Sequence, residues 1–302
     1  MEPQPEASSV RNRLEAGAAL LLDGGMGQEL IARGVDASTG LWSAQALFDH
    51  PDTVMAVHRA FIDAGADVVT TNTYATTRRR IPDCATFWHL NRKACELAVR
   101  AREDSGRPVA IAGSLAPLHG SYRPDLVRSA DELAPQYAEQ AEVLCGYVDL
   151  FLCETMSTAT EAQAAARGAG STGKPVWVSW TLADDGSGRL RSGETIAEAI
   201  AGLDGLDVEA VLVNCSIPES IAAAMPELAN SAGRPFGGYA NGFTPIRGGV
   251  DDGRALPDTR QDLDPEAYAG HARQWLSQGA RIVGGCCEVG PAHIAELRRH
   301  LA

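Results

Sequence analysis

Three cysteines have the type and placement to do chemistry. Cys286 and Cys287 are adjacent and follow Gly284 and Gly285, at the end of the apolar run Arg281, Ile282, Val283. Two glycines at a strand end let backbone approach closely, and the thiols then sit where the strand opens into a loop. Such a pair is compatible with a soft metal, with a vicinal disulfide, or with two inert buried thiols. Far upstream a second apolar run, Ala210 to Val213, ends in Asn214-Cys215-Ser216. Three thiols delivered by two strand ends favour the metal. Zn²⁺ takes sulfur at about 2.3 Å in tetrahedral geometry, and three protein ligands with one open position mark a catalytic site.

Other apolar runs also end in polar residues. In chain order these are Asp23 with Gly24 and Gly25, Thr71 with Asn72, Ser114, Glu154, Trp180 with Thr181, Asn214, and Tyr239 with Asn241. The remaining cysteines, Cys84, Cys95, Cys145 and Cys153, have no such context and read as packing residues. No H-E-x-x-H motif occurs, and five of the seven histidines fall in helical patterns. His119, in a loop, is a weaker candidate for lining a pocket.

The elements that must position these residues are short apolar runs at 19–22, 67–71, 109–112, 150–153, 176–180, 210–213, 235–239 and 281–284. Helical segments separate them. Strands alternating with helices over roughly 250–300 residues are the mark of a (β/α)8 TIM barrel. We expect one domain over 1–302, with a disordered tail at 1–8. A doubly wound open sheet is the alternative, but neither G-x-G-x-x-G nor G-x-x-x-x-G-K-[ST] is present. In a barrel the chemistry sits at the carboxyl ends of the strands, so the polar strand ends would share one face. The irregular stretches 115–125 and 247–264 are candidate lids.

Composition limits the partners. The chain has 302 residues and a net charge of −13, which excludes a nucleic-acid backbone or an anionic membrane surface as partner. The first residues show no signal-peptide pattern, and no apolar run there is long enough to span a bilayer. Seven cysteines, an odd number, do not suggest a disulfide framework. A reducing cytoplasm is expected. Monomer and homo-oligomer both stay open.

The ordered set Leu22-Asp23-Gly24-Gly25-Met26-Gly27, Thr71-Asn72-Thr73-Tyr74, Gly113-Ser114, Glu154-Thr155, Asn214-Cys215-Ser216 and Gly284-Gly285-Cys286-Cys287 resembles the zinc-dependent homocysteine S-methyltransferase family. Gln28 and Ala240 depart from the usual family pattern. The resemblance implies a barrel with zinc on Cys215, Cys286 and Cys287, and transfer of a methyl group to L-homocysteine to give L-methionine. It implies a small methyl donor: S-methylmethionine or S-adenosylmethionine first, betaine second. An amino-acid substrate needs partners for its ammonium, for which Glu154 and Asp23 are candidates, and for its carboxylate, for which the Gly24-Gly25 amides are. Thr71, Asn72 and Ser114 would orient substrate or the groups behind it, Asn214 would bind substrate, and Trp42, Trp180, Tyr74 and Tyr239 would face the donor's cationic centre. From other classes, a zinc hydrolase or a non-enzymatic zinc- or thiol-binding protein is the competing reading.

Overall fold

The computed structural model describes residues 5–36, 41–247 and 257–301. Among them eight short strands form: β1 (Leu20–Leu21), β2 (Val68–Thr70), β3 (Ala110–Leu115), β4 (Leu150–Met156), β5 (Val176–Thr181), β6 (Ala210–Asn214), β7 (Phe236–Ala240) and β8 (Ile282–Gly285). All neighbours pair in parallel, in the order β1-β8-β7-β6-β5-β4-β3-β2. The remaining gap is bridged at Leu22 and Val68. There the Asp67 amide donates to Leu21 O at 2.7 Å and the Asp23 amide to Val68 O at 3.0 Å. The chain is thus a (β/α)8 barrel of one domain.

Helices cross over between the strands, including Pro51–Asp63, Cys84–Ser105, Ala130–Leu144, Ala159–Gly170, Pro218–Ser231 and Pro265–Ser277. Side chains alternate along each strand, so one parity fills the barrel and the other meets the helices. Leu22, Ala112, Leu152, Trp177 and Leu212 form the inner layer. Leu21, Ile111, Phe151, Val178 and Val211 belong to the larger outer cluster. Both faces are buried, which is why these strands read as continuous apolar runs.

Several expectations shift. A helix, Pro5–Glu15, precedes β1, so the tail expected at 1–8 overlaps it at 5–8, and residues 1–4 lie outside the described residues. A helix not expected at all, Met26–Ala32, follows the glycine-rich end of β1. On β7 a glycine is required at Gly237, because a Cβ would sit 1.8 Å from Ile282 O on β8. Cys84 is exposed and opens a helix, so it is no packing residue. Of the expected lid at 247–264, residues 248–256 lie outside the described residues. No described helix is long and apolar enough to cross a membrane.

Candidate metal centre and substrate pocket

Cys215 follows β6 directly, and Cys286 and Cys287 follow β8. The barrel brings their three sulfurs within 4.8 Å of one another, with Cys215 and Cys287 Sγ 4.0 Å apart. Ligands at about 2.3 Å from a tetrahedral ion lie about 3.8 Å from each other, so the spacing fits zinc with little adjustment. The protonation balance also fits a cation. Hydrogen bonds from Cys286 and Cys287, together with one from Tyr122, hold the Cys215 thiol well below the ordinary thiol range. Cys286 is pushed up first by the bond it donates to Cys215. One thiolate forms readily and the next resists, a conflict that a cation held by the three sulfurs would remove.

Backbone strain marks the same end of the barrel. Among the described residues the non-glycine positions with positive φ are Trp42, Tyr122, Thr155, Cys215 and Glu288; the last four belong to a strand end or a loop that follows one, and Trp42 opens a short helix after Met26–Ala32. Such conformations cost on the order of 1–3 kcal/mol each and persist only where surroundings enforce them. Thr155 sits where the β4–β5 register shifts between Cys153 and Met156. The bulge is pinned by Asn214, whose Oδ1 accepts from the Thr155 amide at 2.9 Å and whose Nδ2 donates to Thr155 Oγ1 at 2.9 Å. Ser179 Oγ donates to the same Oδ1 at 2.8 Å. Asn214, expected to bind substrate, instead braces the bulge beside Glu154.

Glu154 shares the lumen parity of Leu150 and Leu152 and is buried. Ser114 Oγ donates to one of its oxygens, and Tyr239 Oη to the other at 3.2 Å. Burial raises its carboxyl to about 7, and the other groups acting on it are hydroxyls and the Cys215 thiol, none of them cationic. Asp23 is raised to about 8, chiefly by burial. Its oxygens accept from the Thr70 amide at 2.8 Å and the Thr70 hydroxyl at 2.9 Å, which ties β1 to β2.

Gly25 has a partner within the chain where a substrate carboxylate was expected. The Gly25 amide donates to Val289 O at 3.0 Å, so it is not available to cradle a carboxylate. A Cβ on Gly25 would lie 2.6 Å from Cys286 O, and one on Gly24 2.0 Å from Val289 O. Both glycines let the loop carrying the thiols pack against the end of β1. Two further candidates hold neighbouring groups, one of the two roles expected of them. Asn72 Nδ2 donates to Ser43 O at 3.0 Å, and Thr71 Oγ1 accepts from the Ser114 amide at 3.1 Å. Trp180 belongs to the outer cluster and faces the helices, not the lumen.

Tyr122, which the sequence did not single out, places its hydroxyl 2.8 Å from Cys215 Sγ. It borders a cavity of about 700 Å³ whose wall includes Asp125, Asp184, Asp185 and Arg191. The available signal was the irregular 115–125 loop itself, the expected lid. Tyr74 stands nearby, its hydroxyl bonded to Ser121 Oγ at 2.8 Å and its ring edge-on to Trp42 at 6.2 Å.

Comparison with known proteins agrees with this geometry. A family model described as homocysteine S-methyltransferase matches residues 20–301. The homocysteine S-methyltransferase of Escherichia coli (strain K12) is 32% identical, over 96% of this chain and 97% of its own length. Homocysteine S-methyltransferase 4 of Zea mays is 28% identical over 94% of this chain and 90% of its own. The crystal structure of the E. coli homocysteine methyltransferase MmuM in a metallated form matches with a TM-score of 0.81 at 31% identity, covering 96% of this chain and 99% of that one. With the barrel, the ordered strand ends and the cysteine cluster in agreement, the chain belongs to the homocysteine S-methyltransferase family of enzymes.

Proposed function

We propose that this family member moves a methyl group from a small sulfonium donor, S-methylmethionine or S-adenosylmethionine, to the thiol of L-homocysteine, giving L-methionine. Cys215, Cys286 and Cys287 hold zinc in this reading. The observation that carries it is the convergence of three sulfurs from two strand ends within 4.8 Å. Zinc bound there supplies a Lewis acid that ionises a substrate thiol at neutral pH.

The chain's own groups do the rest. Glu154, buried with no cation acting on it among the described residues, is suited to the substrate ammonium, which supplies a positive charge there. Ser114 and Tyr239 fix both of its oxygens and therefore its direction. Asp23 is a second buried carboxylate on the same end of the barrel. Transfer requires the acceptor sulfur, the methyl carbon and the leaving sulfur in line, with reacting atoms at roughly 3–3.5 Å. The new sulfur–carbon bond forms as the donor's carbon–sulfur bond breaks. That electron pair stays on the donor sulfur, which departs as a neutral thioether. A cationic donor is attracted by aromatic faces such as those of Tyr74 and Tyr239, and the cavity beside Tyr122 offers room for it. Seven cysteines, an odd number without the spacing of a disulfide framework, accord with work in a reducing cytoplasm.

The test is methionine formation from homocysteine by the zinc-loaded protein with S-methylmethionine, S-adenosylmethionine or glycine betaine as donor. A sulfonium donor is expected to support turnover, and no methionine from any donor would sink the reading. Cys286→Ala and Cys287→Ala should each lose zinc and activity while staying folded. Full zinc content in either variant overturns the ligand assignment.

A further inference from the structure

Cys215 has a neighbour outside the proposed ligand set. The Tyr122 hydroxyl lies 2.8 Å from its sulfur, and the Arg191 guanidinium covers the Tyr122 ring at 4.3 Å from the centroid. Arg191 has its own anchors. Its Nε donates to Thr181 Oγ1 at 3.2 Å, Nη1 to Ile246 O at 3.0 Å and Nη2 to Asp184 at 3.1 Å. Asp184, whose side chain is fully buried, also accepts from the amides of Ile217 and Ile246, each at 2.9 Å. Ile217 is two residues beyond Cys215. The loops after β3, β5, β6 and β7 are thereby tied together around one ligand sulfur, and Tyr122 holds a left-handed backbone, φ 61°, to take its place in them.

A ring that merely packed would need no hydroxyl at the sulfur and no guanidinium on its face. Tyr122 does pack, in a small cluster with Phe243 and Ile246, but that contact is indifferent to the phenol oxygen. A hydroxyl that donates to a thiolate draws electron density from the sulfur and fixes its direction. Groups that hydrogen-bond to metal ligands typically change affinity or activity about 10–100-fold when removed.

We infer that Tyr122 is a positioning residue for the metal centre: its hydroxyl donates to Cys215, Arg191 holds the ring there, and together they set how much charge that ligand passes to the metal. This rests on the three-cysteine reading above. Lysine cannot replace arginine in this role, because it lacks the planar face and the fork of donors.

The experiment uses Co²⁺ as a spectroscopic probe in the full chain. A hydrogen bond stabilises the sulfur lone pair and raises the energy of thiolate-to-cobalt charge transfer, so its removal lowers that energy. Tyr122→Phe is expected to bind cobalt and to show these absorption bands at longer wavelength. Its kcat should fall about tenfold with the KM for homocysteine unchanged. Arg191→Lys should shift the bands in the same direction while leaving the hydroxyl in place, which provides a second variant that does not touch the phenol. Bands in Tyr122→Phe that coincide with those of the wild-type protein overturn the inference while leaving the metal reading intact. A wild-type chain that shows no thiolate-to-cobalt bands overturns the metal reading, and this inference with it.

Discussion

Glu154 illustrates how one buried residue links substrate binding to pH. Its carboxyl stands at about 7 because burial penalises the charged form more than Ser114 and Tyr239 favour it. Below that pH it is protonated and attracts an ammonium weakly; above it the carboxylate is ionised and attracts it strongly. Methionine carries the same ammonium as homocysteine but no ionisable thiol, so its affinity isolates this effect. We expect methionine to bind more tightly at about pH 8 than at about pH 6. Glu154→Gln should flatten that dependence and weaken binding by about 2–5 kcal/mol, the range for truncating one partner of a buried charged pair. Calorimetric titration at the two pH values is the check, and an unchanged slope in the variant would place the ammonium elsewhere. For folding the same burial has the opposite sign. A carboxyl raised from 4.5 to about 7 contributes stability below its unfolded value, which is lost as pH rises through about 7.

At the scale of elements, the thiol loop and the start of helix Met26–Ala32 are packed too closely to carry a side chain between them. Gly25 donates its amide to Val289 O, and its Cα faces Cys286 O and the Cys287 backbone. Gly25→Ala would place a methyl group 2.6 Å from that oxygen and 3.1 Å from Cys287 Cα. Overpacking of this kind costs about 1–3 kcal/mol, and the loop has to move to relieve it. The loop carries two of the three thiols, so the expected outcome is a loss of zinc affinity larger than the loss of thermal stability. Competition with a chelator, alongside a melting curve, measures both. Wild-type zinc affinity in Gly25→Ala would show that the loop shifts without disturbing the sulfurs.

For the whole molecule, the two ends of the barrel have separate duties. Helix Pro5–Glu15 lies at the amino-terminal end, where Val10 and Leu14 join the inner layer formed by residues such as Leu20, Val68 and Ile282. Arg13 pairs there with Asp67 at 2.7 Å, and Asp67 also takes Arg298 and the Leu21 amide at 2.9 Å. In barrels this end contributes stability and the opposite end chemistry. Leu14→Ala should therefore destabilise the fold by about 2–3 kcal/mol through lost burial and a residual cavity. Zinc content and the KM for homocysteine should stay at wild-type values. Denaturant unfolding set beside steady-state kinetics tests this, and a raised KM would mean that the ends are coupled.

The local pattern of the chain was enough for the eight strands, for the barrel they form, and for the three cysteines. The strands are buried on both faces and so appear as unbroken apolar runs, and the cysteines stand directly at two of their ends. Strand parity decides Trp180 against the donor role expected for it, since the alternation that puts Trp177 inside the barrel sends Trp180, three residues on, to the helices. The roles of Gly25, Asn214 and Tyr122 were not legible. Each is defined by a partner remote in sequence: Val289 for Gly25, Thr155 for Asn214, Cys215 for Tyr122. Helix Met26–Ala32 was hidden by the glycines in front of it, which read as loop until the thiol loop is seen packed against them. Periodicity and turn chemistry act over a few residues and so are written in the sequence, whereas hydrogen bonds between loops from different strands exist only once the barrel has closed and fixed their distances.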